Sequence, residues 1–210
     1  MLVFPYESVY IGLVQMFCNR PGAIHLDIQL AVSRDGVRFT RVCDGDGRRV
    51  AFIPCGGIGE WDRFNNSIAN NPPLVVGDEL RFYYGGRTYR HGPYEGNDRG
   101  EAGGGIGLAT LRRDRFASLA ASFDGGQIVT KPLTLFGRTI HLNAKSNFGR
   151  IVIEVLDKDG KVVAESNPIR ADGVDIPVAW AKGELKPGHD PLSLRITLSN
   201  ARLFALWCEG

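Results

Sequence analysis

Twenty-seven glycines and eleven prolines are spread along this chain of 210 residues. About 15 glycines would be usual at that length. A glycine costs a helix interior about 1 kcal/mol relative to alanine, and a proline about 3. So many breakers exclude a helical bundle and favour a turn-rich, all-β chain. The length suits one large or two small domains. The balance of 25 basic against 23 acidic residues leaves +2, and no long-range field marks a nucleic acid or a membrane as partner. Neither is expected. No apolar run approaches the ~18 residues of a bilayer span. Met1-Leu-Val-Phe-Pro5 has no basic leader, so no signal peptide is expected and the compartment is left open. Cys18, Cys43, Cys55 and Cys208 are isolated and form no C-x-x-C pair; they read as buried small hydrophobes before one or two disulfides, with no structural zinc and no cofactor.

The composition breaks near residue 125. Residues 1–124 hold fourteen arginines and no lysine, whereas all six lysines, Lys131 to Lys186, lie beyond. Eighteen glycines and fifteen of the twenty aromatics also fall in the first part. Ser122-Phe-Asp-Gly-Gly126 supplies a turn-forming joint. The expected organisation is therefore a domain over 1–124 and another over 125–210.

The second domain reads as a small β-sandwich. Leu192, Leu194, Ile196 and Leu198 alternate with Ser193, Arg195, Thr197 and Ser199, the period of a half-buried strand. Ile151, Ile153 and Val155 make a similar row, and Asp157-Lys-Asp-Gly160 offers a hairpin turn into Lys161-Val-Val-Ala164. Further strands are expected at 127–135, 138–143, 174–180 and 201–208. Trp180 and Trp207, single tryptophans on strands, read as core.

The first domain contains an echo. Asp27-Ile-Gln-Leu-Ala-Val-Ser-Arg-Asp-Gly-Val-Arg-Phe39 is matched by Gly105-Ile-Gly-Leu-Ala-Thr-Leu-Arg-Arg-Asp-Arg-Phe116. Each predicts a strand, a turn at Asp35 or Asp114, and an aromatic that opens a returning strand. Upstream, Pro5 to Leu13 and Val76 to Tyr84 each predict a turn followed by an aromatic strand. The offsets are 78 residues (Ile28 to Ile106) and about 70. Two four-stranded units of this size predict two propeller blades, a partial β-propeller followed by the sandwich.

The turn Ser33-x-Asp35-Gly36-x-x-Phe39, the segment Glu60-Trp-Asp62, the run Pro72-Pro-Leu-Val-Val-Gly-Asp-Glu-Leu-Arg-Phe-Tyr-Tyr-Gly-Gly86 and Gly105 to Asp114 together resemble the later blades of five-bladed glycosidase propellers, related to glycoside hydrolase families 43, 32 and 130. The resemblance covers most of the chain and implies acid/base hydrolysis of a glycosidic bond in a carbohydrate substrate, or else a non-catalytic carbohydrate-binding or structural fragment of a longer glycosidase. It also implies missing N-terminal blades that would carry the family's general base. Two blades instead of five expose sheet edges and an apolar flank, so a homo-oligomer is expected.

A propeller glycosidase needs two carboxylates across a funnel at its axis. Asp62 is the first candidate, Glu60 the second and Glu7, at the start of the first blade, the third. The stretch Gly85 to Gly105 packs Arg87, Tyr89, Arg90, His91, Tyr94, Glu95 and Asp98 into one long loop, a length that is usually functional. Aromatics and planar donors suit a sugar ring and its hydroxyls. The expected substrate contacts are Trp61, Tyr84, Arg87, His91, Tyr94 and Glu95. Gly103 to Gly107 is no phosphate loop, because no Lys-Ser/Thr follows. Asp44-Gly-Asp-Gly47 reads as a polar turn instead of a calcium loop, and Arg112-Arg-Asp-Arg115 as a solvated turn.

Overall fold

The structure, a computed structural model, describes residues 1–20, 23–90, 103–137, 139–186, 188 and 190–209. Among these it holds eighteen strands and no helix, so the chain is all-β. It divides into two compact units, Met1–Leu111 and Arg112–Gly210.

In the first unit, β1 (Leu2–Tyr6), β2 (Val9–Arg20), β3 (Ala23–Ser33), β4 (Thr40–Arg41) and β5 (Ala51–Ile53) form one sheet. The strands β4 and β5 both pair β3, at Ala31–Val32 and Ile28–Gln29, so they share one interrupted edge position. A second sheet contains β6 (Ser67–Ile68), β7 (Leu74–Val76), β8 (Glu79–Arg87) and β9 (Gly104–Arg112). Here β6 and β7 pair successive parts of β8, again as one interrupted strand.

The echoed turns match closely. Glu7 and Gly77, 70 residues apart, each take a positive φ (48° and 58°) in a two-residue hairpin turn. Gly36 and Asp114, 78 apart, also take a positive φ, at 73° and 65°. Aspartate is among the few residues besides glycine that reach this region readily. Around Gly36, Asp35 accepts from the amides of Val37 and Arg38 at 2.9 and 2.8 Å, and Ser33 Oγ accepts from those of Asp35 and Gly36.

The returning strands do not match. After Phe39 the chain pairs back onto β3 through β4. After Phe116 it leaves the second sheet, and β10 (Leu119–Ala121) pairs instead with β18 (Ala201–Glu209) of the second unit. The first sheet therefore fills four strand positions and the second only three. The two sheets are tied by a parallel bridge, Leu26 to Asn65, and by Phe52 meeting Phe82 edge-on at 5.5 Å. Phe4, Ile11, Leu13, Ile28, Leu30, Leu80 and Phe82 are buried in this unit.

The second unit adds β11 (Gly126–Val129), β12 (Thr139–Lys145), β13 (Arg150–Leu156), β14 (Val162–Ser166), β15 (Asp172–Pro177), β16 (Trp180–Gly183) and β17 (Ser193–Ser199). One sheet runs β10-β18-β12-β15 and the other β11-β17-β13-β14-β16. Ile140, Leu142 and Leu203 from the first pack with Ile151, Ile153, Leu194 and Ile196 from the second in one buried core, which makes a sandwich. The expected turn at 157–160 is present, with Gly160 at φ 78° and its amide bonded to the Asp157 carbonyl. Trp180 packs against this core. Trp207 instead stacks on His141, with centroids 5.5 Å apart.

The division falls thirteen residues before the expected joint, so that Arg115 belongs to the second unit. Strand β12 faces a bulge on each neighbour beside Asn143, which frees backbone carbonyls. Arg115 fills that gap, donating to Asn143 Oδ1 (2.9 Å), the Ala144 and Gly173 carbonyls (3.1 and 3.2 Å) and Asp172 Oδ1 (2.6 Å). Its guanidinium also lies 4.6 Å from the Phe204 ring centre. The expected solvated turn is thus corrected at this residue, whose side chain is only 9% exposed.

Candidate functional site

Asp62 lies on the turn-rich chain between β5 and β6, and it is 9% exposed. Burial of a carboxylate demands partners. Tyr84, on β8, donates its hydroxyl to Asp62 Oδ2 at 2.7 Å. Burial and this bond push the Tyr84 pKa up to about 12, with the charge of Asp62 adding to them, so the hydroxyl keeps its proton at neutral pH.

Glycines make room for this arrangement. A Cβ on Gly86 would stand 2.6 Å from the Trp61 ring, and one on Gly105 would stand 3.3 Å from it. A Cβ on Gly107 would meet the Tyr84 ring at 2.5 Å, and one on Gly56 would overlap the Asp62 carboxylate. Trp61 and Tyr84 stack at 5.8 Å with their planes 25° apart. Trp61 remains 36% exposed, which leaves ring surface for a ligand.

A further aspartate, Asp27, follows Leu26 on β3, and it is not one that the sequence singled out. Cys55 donates its thiol to the Leu26 carbonyl at 3.1 Å, and the next amide, Gly56, bonds the Asp62 carbonyl at 3.2 Å. Burial, then the charges of Asp27 and Asp62, push the Cys55 thiol up to about 11. The thiol therefore keeps its proton at neutral pH. Asp27 accepts from Gln29 Nε2 at 3.1 Å and lies 3.6 Å from His25 Nε2. Its only sequence signal was its place at the head of the echoed strand.

Asn65 and Asn66 follow on the same stretch of chain and are buried. Their Nδ2 groups donate to the carbonyls of Tyr89 (2.6 Å) and Pro54 (2.9 Å). Both Oδ1 atoms are buried and find no hydrogen-bond donor among the described residues.

The sequence candidates are distributed unevenly. Asp62, Trp61 and Tyr84 meet. Glu60 is exposed on the adjoining turn, where its amide donates to the Gly57 carbonyl. Glu7 is exposed at the tip of the β1–β2 hairpin. Arg87 ends β8 and donates to the Tyr89 hydroxyl at 2.6 Å. His91, Tyr94 and Glu95 lie outside the described residues.

No protein-family model matches the chain, and no curated protein matches it. Among solved structures it is similar, at a TM-score of 0.31 and 12% identity, to a glycoside hydrolase family 43 arabinoxylan arabinofuranohydrolase from Bacillus subtilis, solved with cellotetraose. The alignment covers 99% of this chain and 53% of that one, so this chain spans about half of that enzyme's length. A likeness this slight carries neither fold nor activity across.

Proposed function

We propose that this protein binds carbohydrate at the Asp62 niche and hydrolyses a glycosidic bond there by acid/base catalysis. The observation that carries the reading is a buried carboxylate, held by a tyrosine hydroxyl, beside a partly exposed tryptophan. Tryptophan offers a stacking face for a sugar ring, and Asp62 and Tyr84 offer polar atoms that fix its orientation. Asp62 serves as the acid or stabilises the developing charge. Asp27, beside the Leu26 carbonyl that Cys55 bonds, supplies the second carboxylate that such hydrolysis requires, and Glu60 is exposed on the adjoining turn.

Self-association belongs to the same reading. Leu74, Val76, Tyr83, Ile106 and Leu108 are exposed on the face of the second sheet opposite Phe82 and Tyr84, by strand alternation. An apolar sheet face of this kind is normally covered. A second copy covering it would also give the exposed Glu7 a route to a shared site.

A panel of chromogenic glycosides and plant or algal oligosaccharides tests the proposal. Turnover is expected, with Asp62→Asn and Asp27→Asn each lowering it by roughly 100-fold or more. Undiminished turnover in both variants, or none from folded protein on any substrate, would overturn hydrolysis. Saturable binding by calorimetry without product would leave a carbohydrate-binding protein. The Tyr84 bond favours that second reading, because it already occupies one Asp62 oxygen.

A further inference from the structure

One end of the sandwich presents two phenylalanines to solvent. Phe123 lies in the β10–β11 turn and Phe148 in the β12–β13 turn, and each is 78% exposed. Registers place both beside the β17–β18 turn: Ala121 pairs Ala201, Gly126 pairs Leu198, and Arg150 pairs Ser199. These turns are fastened. Asn200, at φ 46°, donates its amide to the Ser122 carbonyl at 2.8 Å and its Nδ2 to the Phe148 carbonyl at 2.8 Å. Ser199 Oγ donates to the Phe123 carbonyl at 3.4 Å, and Arg170 to that of Gly149 at 3.0 Å. A Cβ on Gly149 would collide with the carbonyls of Ser199 and Asn200. The backbone under both rings is therefore held in place, and the rings themselves are left in water.

The same end is basic. Lys145, Arg150, Arg170 and Arg202 are all exposed there. Lys145 and Arg202 are direct cross-strand neighbours, a like-charge pairing that is unfavourable without an anion. Asp172, the carboxylate beside Lys145 on the other strand, is engaged by Arg112 and Arg115. Asp124 is the one further acid in these turns. At the opposite end, signs are mixed: Asp157, Asp159 and Glu184 stand with Lys158, Lys161 and Lys186. The whole-chain charge of +2 hides this asymmetry.

We propose that this end of the sandwich docks on an anionic membrane surface, with Phe123 and Phe148 entering the headgroup boundary and the four basic side chains facing anionic lipid. Phenylalanine has no polar atom to satisfy in water and gains from burial at that depth. Lysine and arginine near such a surface add attraction for each charge. A neutral sugar chain is a poorer match, because it brings no negative charge to the four basic side chains.

The test is flotation of the full chain with vesicles of phosphatidylcholine, alone or mixed with phosphatidylserine. Binding to the mixed vesicles only, weakened by salt, is expected. Phe123→Ala and Phe148→Ala should each weaken it about tenfold. Phe136→Ala, which removes a phenylalanine 72% exposed in the β11–β12 connection, should leave it unchanged. The double variant Lys145→Glu with Arg150→Glu should abolish the preference for phosphatidylserine, and its melting temperature shows whether it folds. No binding to mixed vesicles would overturn the proposal. So would full binding by the Phe123→Ala/Phe148→Ala double variant. Capture by soluble dextran sulfate that the phenylalanine substitutions leave untouched would overturn it in favour of an anionic polymer.

Discussion

Gly107 and Gly45 are the same residue type in one unit, and substitution should affect them differently. A Cβ at Gly107 would enter the Tyr84 ring, whereas one at Gly45 would meet nothing within 4 Å. Neither position has a positive φ, so space alone separates them. Gly107→Ala should cost about 1–3 kcal/mol through overpacking and should weaken sugar binding, because Tyr84 must move. Gly45→Ala should lie within about 0.5 kcal/mol of the wild type. Urea unfolding of the two variants gives the comparison, and equal midpoints would contradict it. The glycine excess thus has two origins, which sequence cannot separate. Gly36 and Gly77 serve turns and could be read from their neighbours. Gly86, Gly105 and Gly107 clear space for rings that lie distant in sequence. Asp62, Trp61 and Tyr84 were legible as residue types suited to sugar chemistry. Asp27 was not, because only the fold brings β3 to the chain around Cys55.

At the scale of elements, the segment 112–118 shows how a repeat can mislead. Its sequence echoes the first unit as far as Phe116, and the backbone follows the echo at Asp114. Beyond that point Arg115 finds acceptors that the first sheet lacks, and the chain departs. Arg115→Ala would strip partners from Asn143 Oδ1 and from the carbonyls of Ala144 and Gly173. The expected loss is about 2–4 kcal/mol, visible as a lower melting temperature of the second unit. Arg115→Lys should recover only part of it, because an ammonium cannot reproduce the planar fork. The same cluster sets a pH dependence. Burial works against the charged form of Asp172, but hydrogen bonds and charges from Arg115 and Arg112 outweigh it and hold its pKa below the ordinary value. A depressed folded pKa adds stability above the unfolded value, near pH 4, and that contribution fades as pH falls through the folded value. The stability difference between the wild type and Asp172→Asn should therefore be widest at neutral pH and shrink below about pH 4. A difference constant across the acid range would show that Asp172 acts by shape and not by charge. Strand alternation over 193–199 and the turn at 157–160 were legible, since both rest on local periodicity. The bulges that receive Arg115 were not, because a register shift leaves no local mark.

For the whole molecule, the placement of the boundary can be measured. Each unit has its own buried core, the second centred on Ile140, Ile153, Leu194 and Ile196. A fragment over 112–210 keeps β10 on the edge of β18 and Arg115 between the bulges. One over 125–210, cut where the composition changes, loses both. The longer fragment should therefore fold alone with a cooperative transition. The shorter should be less stable by at least the Arg115 contribution, about 2–4 kcal/mol, together with the exposure of Leu203 and its neighbours on β18. Composition marks the cut near residue 125 because the lysines begin beyond it. Packing marks it at Leu111, and Arg115 beyond that point, alone among the clustered arginines there, is buried, with acceptors at Nε and one terminal nitrogen. If both fragments unfolded at the same denaturant concentration, the segment 112–124 would be a linker, and the latch assigned to Arg115 would carry no stability.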